Sequence, residues 1–169
     1  MRKILKGNSL LSLFVYLIIL SWVIMFKCNL RTNDMRFGYR SINLIPFIQF
    51  LNGEKYFFVE CVLNLLVFIP FGFVFPSAFK CENLIILAIV SFGLSAFYEG
   101  LQYLLAFGGT DITDVIFNGT GGFLGSLIFV KFDKENKFLN LVNKLFVVIG
   151  IPFALYCVIS TVCVFNVYI

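Results

Sequence analysis

Along this chain, apolar runs of near-membrane length alternate with short polar stretches. A helix needs ~20 mostly apolar residues to cross a bilayer. Runs of that kind occupy residues 9–26, 56–75, 84–107, 112–132 and 145–168. They predict about five transmembrane helices joined by short connections. The loop after the first run, residues 27–55, changes character halfway. Residues 27–40 are polar and basic, whereas residues 41–52 are apolar but too short to span. Pro46 interrupts any helix begun there, because it lacks an amide hydrogen. A re-entrant or interfacial segment is expected, with Phe47 and Phe50 in the lipid boundary.

Composition sharpens this picture. The chain has 169 residues, 60% hydrophobic and 13% charged, with a mean hydropathy of +0.98. A soluble domain is typically ~45–50% apolar and ~25% charged. A chain this short leaves much of its surface exposed, so it cannot hide that much apolar area in one core. A soluble enzyme is disfavoured and disorder is excluded. The fold class expected is all-α, a polytopic membrane helix bundle forming one domain over residues 1–169. Arg2, Lys3 and Lys6 before the first run resemble the start of a signal peptide. No A-x-A-like cleavage site follows, so a retained signal anchor is expected.

Charge bears on topology. With the N-terminus inside, the inner side holds Arg2, Lys3, Lys6, Lys80, Lys131, Lys134, Lys137 and Lys144. The outer side then holds Lys27, Arg31, Arg36, Arg40 and Lys55. The excess favours a cytoplasmic N-terminus and an outer C-terminus. The net charge of +4 gives no reason to expect a nucleic-acid partner. Histidine is absent, which removes His-based triads and imidazole metal sites. The five cysteines form no CxxC pair, so neither a zinc site nor a thioredoxin-like motif is expected.

Polar side chains inside spans are costly, about 2.5–3.5 kcal/mol for Asp, Lys or Arg at a helix centre, and so mark candidate sites. The second span carries Glu60 and Asn64 on one face, and the third carries Glu99 and Gln102. The fourth begins with Asp111 and Asp114, and Asp114, Asn118, Gly121 and Gly125 then follow down one face. With alternating spans, these groups all fall at one end of the bundle, together with Arg40 and Asn43 of the long loop. Inverting the protein would move the cluster without dispersing it. Gly121 and Gly125 have the spacing that lets helices approach closely. Asn64, Gln102 and Asn118 also fit simple interhelical glue, worth ~0.6 kcal/mol per bond.

These residues resemble the signatures of the VanZ-like family. Arg40-Ser-Ile-Asn43-Leu44-Ile45-Pro46-Phe47 is similar to R-x-x-N-L-x-P-F. Asn64-Leu-Leu-Val-Phe68-Ile-Pro70-Phe-Gly72 resembles N-x-x-x-F-x-P-x-G. Glu99-Gly-Leu-Gln102 matches E-x-x-Q. The stretch from Asp111 through Asp114 and Asn118 to Gly121 resembles D-x-x-D-x-x-x-N-x-x-G. Gly108, Gly109 and Thr110 stand where many relatives carry an arginine, so the resemblance brings no second cation to this site. It implies a multi-pass protein of the bacterial cell membrane, of the type associated with low-level resistance to the lipid-tailed glycopeptide teicoplanin.

Two functions fit the cluster. In the first, Arg40, Asn43, Asn64, Glu99, Gln102, Asp111, Asp114 and Asn118 form an outer-leaflet pocket for a lipid or cell-envelope headgroup. The protein would then modulate susceptibility to glycopeptides, with membrane lipids, a lipid-linked cell-wall precursor or the lipoglycopeptide itself as partners. Arg40 offers a planar fork for phosphate or carboxylate. In the second, a membrane enzyme acts on a lipid or cell-wall precursor through Glu99, Asp111 and Asp114, with Glu99 and Asp114 as candidate base and acid. The same three carboxylates have the oxygens that Mg²⁺ or Ca²⁺ prefers. No nucleophile elbow, P-loop or zinc motif is present, and neither metal nor cofactor is expected.

Overall fold

The computed structural model describes residues 6–26, 39–132 and 137–168. Arg2, Lys3, Lys27, Arg31, Arg36 and Lys134, which entered the topology argument, lie outside these residues. The elements in chain order are α1 (Lys6–Phe26), β1 (Tyr39–Asn43), α2 (Ile48–Leu51), α3 (Phe57–Phe79) and α4 (Leu84–Leu105). There follow β2 (Phe107–Asp111), α5 (Ile112–Phe132), α6 (Lys137–Leu145), a π-helical turn (Phe146–Gly150) and α7 (Ile151–Tyr168). Among the described residues, Phe57–Phe79, Leu84–Leu105, Ile112–Phe132 and Lys137–Ser160 are long and apolar enough to cross a membrane, and Ser9–Ile24 is a shorter apolar stretch. The protein is a polytopic membrane helix bundle. Its outward side chains include Ile85, Ile89, Leu66 and Leu155, as expected of a surface facing lipid.

The helices alternate in direction. Ser9, early in α1, meets Ser77 near the end of α3 at 2.7 Å, and Asn143 of α6 donates to it at 3.1 Å. At the other end, Gln102 near the end of α4 donates to the Ile24 carbonyl late in α1 at 2.9 Å. The last helix starts at Lys137, earlier than the apolar run suggests, because Leu139 and Asn143 are buried on an amphipathic first segment.

Packing centres on α3 and α5, which run side by side. A β-carbon built on Gly121 would land on the Leu65 carbonyl, and one on Gly125 on the Ile69 carbonyl. The glycines thus let two backbones touch, the closeness that bare helices need in a solvent as apolar as their own side chains. Helix α3 continues through Pro70 and Pro76. Pro76 cannot donate to the carbonyl four residues back, that of Gly72. The Ser126 hydroxyl on α5 donates to that carbonyl instead, at 3.0 Å.

A short parallel pair of strands departs from the all-helical expectation. β1 lies beside β2 in the register Arg40 with Gly108, Ser41 with Gly109 and Asn43 with Asp111. The third span therefore ends at Leu105, where Ala106 takes a left-handed conformation (φ 55°) that stops the helix. Gly109 has no side chain because a β-carbon there would meet the Ser41 hydroxyl. The expected interfacial segment is thus strand, turn and the single helical turn α2. Its rings pack on the next helix, with Phe47 and Phe50 at 6.4 and 5.9 Å from Phe57.

Candidate functional site

The strand pair sits at the end of the bundle where α4 finishes and α3 and α5 begin. Asn43 closes β1, and its Oδ1 accepts the Ile45 amide at 3.1 Å, a local turn that asparagine makes readily. Pro46 follows, and then Phe47 in a left-handed conformation (φ 62°), rare for a bulky residue. The Phe47 amide donates to Thr113 Oγ1 at 3.1 Å, which ties the turn to α5.

Asp111 is the hub. It stands just before α5, and its Oδ1 accepts the Thr113 amide at 2.7 Å, capping the helix. Its Oδ2 accepts from Asn43 Nδ2 at 2.9 Å and from Gln49 Nε2 at 3.0 Å. The Asp111 amide in turn donates to Glu99 Oε2 at 2.9 Å, and the Thr110 hydroxyl donates to the Glu99 carbonyl at 3.0 Å. In the first turn of α5, Asp114 Oδ1 accepts from Asn64 Nδ2 at 2.7 Å. Asp111 and Glu99 are buried, and Asp114 is half-buried. A carboxylate buried in this way depends on such donors.

The predicted residues do not all face one another. Asn43 and Glu99 are bonded to Asp111, and Asn64 and Asp114 form a second pair at the same end of the bundle. Arg40 is exposed; it donates to the Leu104 carbonyl at 3.1 Å and lies 5.8 Å from the centre of the Tyr103 ring. It thereby satisfies a carbonyl at the end of α4, where a cation is also favoured by the helix dipole. Gln102 turns its amide nitrogen to α1. Asn118 is buried, and among the described residues its Oδ1 has no partner, as is true of Gln102 Oε1. A buried polar group left unpaired costs ~1–3 kcal/mol. Among the described residues, no group of three or more acidic or cysteine side chains has the geometry to hold a metal ion.

Gln49, Thr110 and Thr113 were absent from the sequence-based set. Gln49 lies in a stretch whose apolar character drew attention to lipid. Thr113 had a legible signal, since Asp111-Ile-Thr113-Asp114 has the acidic pattern of a helix start.

Comparison with known proteins gives the family. No solved structure matches this chain. Protein VanZ of Enterococcus faecium is 38% identical over 142 residues, covering 83% of this chain and 81% of that protein. The profile of the VanZ/LLP1 family matches residues 13–133, a span that includes most of α1, the strand pair and the hydrogen-bonded polar residues just described. The chain belongs to the VanZ/LLP1 family of membrane proteins.

Proposed function

We propose that this protein binds the polar headgroup of a membrane lipid or lipid-linked cell-wall precursor at the polar end of its bundle, and so modulates the cell envelope. The observation that carries this reading is a convergence. Six successive elements each contribute one residue to two hydrogen-bonded groups at one end of an apolar bundle: Asn43, Gln49, Glu99 and Asp111 in the first, Asn64 and Asp114 in the second. The exposed Arg40 guanidinium lies beside them. Among the described residues, one of its nitrogens is engaged by the Leu104 carbonyl, which leaves donors for a phosphate or carboxylate.

With the N-terminus cytoplasmic, as the basic residues favour, this end meets the outer leaflet. Lipid-linked wall precursors and lipid-tailed glycopeptides of the teicoplanin type both have headgroups there. Occupancy of the site would alter access of such an antibiotic to its membrane-bound target, in line with the family's association with resistance. Glu99 and Asp111 direct their oxygens at backbone and amide donors. That use of carboxylates favours binding over acid–base turnover.

Native mass spectrometry of the purified protein tests the reading. Removing a charge-assisted hydrogen bond costs ~1.5–3 kcal/mol, so Arg40→Ala should cut retained lipid by roughly ten-fold or more. Equal retention would refute the role of Arg40. For orientation, a reporter fused after Ile169 should read as outside, and a cytoplasmic signal would overturn the assigned topology.

A further inference from the structure

The buried faces of α3, α4 and α5 meet in layers. Helix α4 runs against α5 with Ser91 beside Gly122 and Phe92 beside Gly119. One turn nearer the polar end, the same register brings Ser95 level with Asn118, and a further turn brings Glu99 level with Asp114. Helix α3 runs alongside α5 with Gly72 beside Gly122 and Asn64 bonded to Asp114, which sets Phe68 level with Asn118. Three layers result: Asn64, Asp114 and Glu99; then Phe68, Asn118 and Ser95; then Gly72, Gly122 and Ser91.

The outer two layers are hydrogen-bonded. Ser91 donates to the Leu87 carbonyl at 2.8 Å, and the Gly72 carbonyl is met by Ser126. The middle layer differs. Asn118 Oδ1 and Ser95 Oγ are both buried with no partner among the described residues, on residues only 2% and 0% exposed. Ser95 lacks even the backbone bond that Ser91 makes one turn away. Two orphan oxygens at one level, directly beneath the Asn64–Asp114 pair, call for an occupant.

We propose that the binding site extends one helical turn inward and that Asn118 and Ser95 form its floor, where they take an alcohol hydroxyl of the bound headgroup. This rests on the headgroup reading above. An amide oxygen only accepts, so the occupant must donate to Asn118 Oδ1. A phosphodiester has no proton to give. An ammonium could donate, but it would leave the Ser95 hydrogen without an acceptor. A hydroxyl donates to Asn118 and accepts from Ser95. Water has the same O–H chemistry and is the competing source.

Two lipids separate the sources. Phosphatidylglycerol and phosphatidylmethanol carry the same phosphodiester charge, but only the first has headgroup hydroxyls. The full chain, purified and equilibrated with equimolar amounts of both, is examined by native mass spectrometry. The wild type should retain phosphatidylglycerol about five-fold better, the factor that one net hydrogen bond supplies. Asn118→Leu and Ser95→Ala should each bring the ratio to about one. Asn118→Leu should also raise the thermal midpoint by roughly 2–4 °C, since it deletes a buried unpaired oxygen. A purely structural amide would lower the midpoint, and that result would overturn the proposal. Equal retention of both lipids by the wild type would also overturn it, leaving water on the floor and the headgroup reading intact. Retention of neither lipid would remove the headgroup reading and this inference together.

Discussion

The two halves of helix α5 are built for different ends. Its first turns present Asp114 and Asn118, capped from just outside by Asp111. Its middle and later turns present Gly119, Gly121, Gly122 and Gly125, with Ser126 beside them. The glycine half brings backbones together and tolerates no added atoms. The polar half brings carboxylates and amides together and tolerates no loss of partners. One helix thus fixes the bundle with its far half and aims the site with its near half. Substitutions in the two halves should fail in different ways.

The largest effect belongs to the glycine half. Gly121→Leu or Gly125→Leu places a side chain in the backbone of α3, at Leu65 or Ile69. Overpacking a core costs ~1–3 kcal/mol even where side chains can move aside, and here backbone blocks the way. Both variants should lose most folded protein, read as yield of monodisperse material in detergent. Wild-type yield would show that this face looks at lipid.

Next comes the cap. Asp111→Ala removes the acceptor for Thr113, Asn43 and Gln49 together and should destabilise by about 2–3 kcal/mol, read as a lower thermal midpoint. The sharper version is Asp111→Asn. It keeps the shape, but its NH₂ would face either the two amide donors or the Thr113 N–H. It should therefore recover little of the loss. Full recovery would mean that the charge and acceptor count of Asp111 are irrelevant.

The smallest effect is at the junction of the halves. Ser126→Ala leaves the Gly72 carbonyl, already deprived of a donor by Pro76, without its side-chain partner. A loss of about 1 kcal/mol is expected. Adding Pro76→Ala should restore a backbone donor and recover most of it. A double variant no more stable than Ser126→Ala would show that proline does not create the need for the serine.

The two halves were also unequally legible. The apolar runs gave the long helices, because bilayer thickness sets helix length, and the spacing of Asp114, Asn118, Gly121 and Gly125 by four, three and four residues gave one face of α5. The strand pair was not legible. Tyr39–Asn43 is short, and its partner lies beyond α2, α3 and α4, so nothing local marks the pairing. The end of α4 was missed for the same reason: Leu105 and Ala106 continue an apolar run, and only the strand that follows requires the chain to turn. Gln49 was hidden among apolar neighbours. Arg40 contacts Leu104 and Tyr103, which follows from the strand register and could not be read from spacing.

The central claim is that the polar end binds a headgroup and does more than hold helices together. Asp114→Asn tests it most directly. Asn64 can turn its amide to meet the new one, so the fold should survive with a thermal midpoint within a few degrees of wild type. The charged acceptor is lost and Asn64 turns over, so the donors and acceptors that the site offers a headgroup are rearranged. Native mass spectrometry of equal amounts of folded protein should show wild type carrying lipid and Asp114→Asn nearly bare. Undiminished lipid on the variant would contradict the account and return the whole cluster to helix packing.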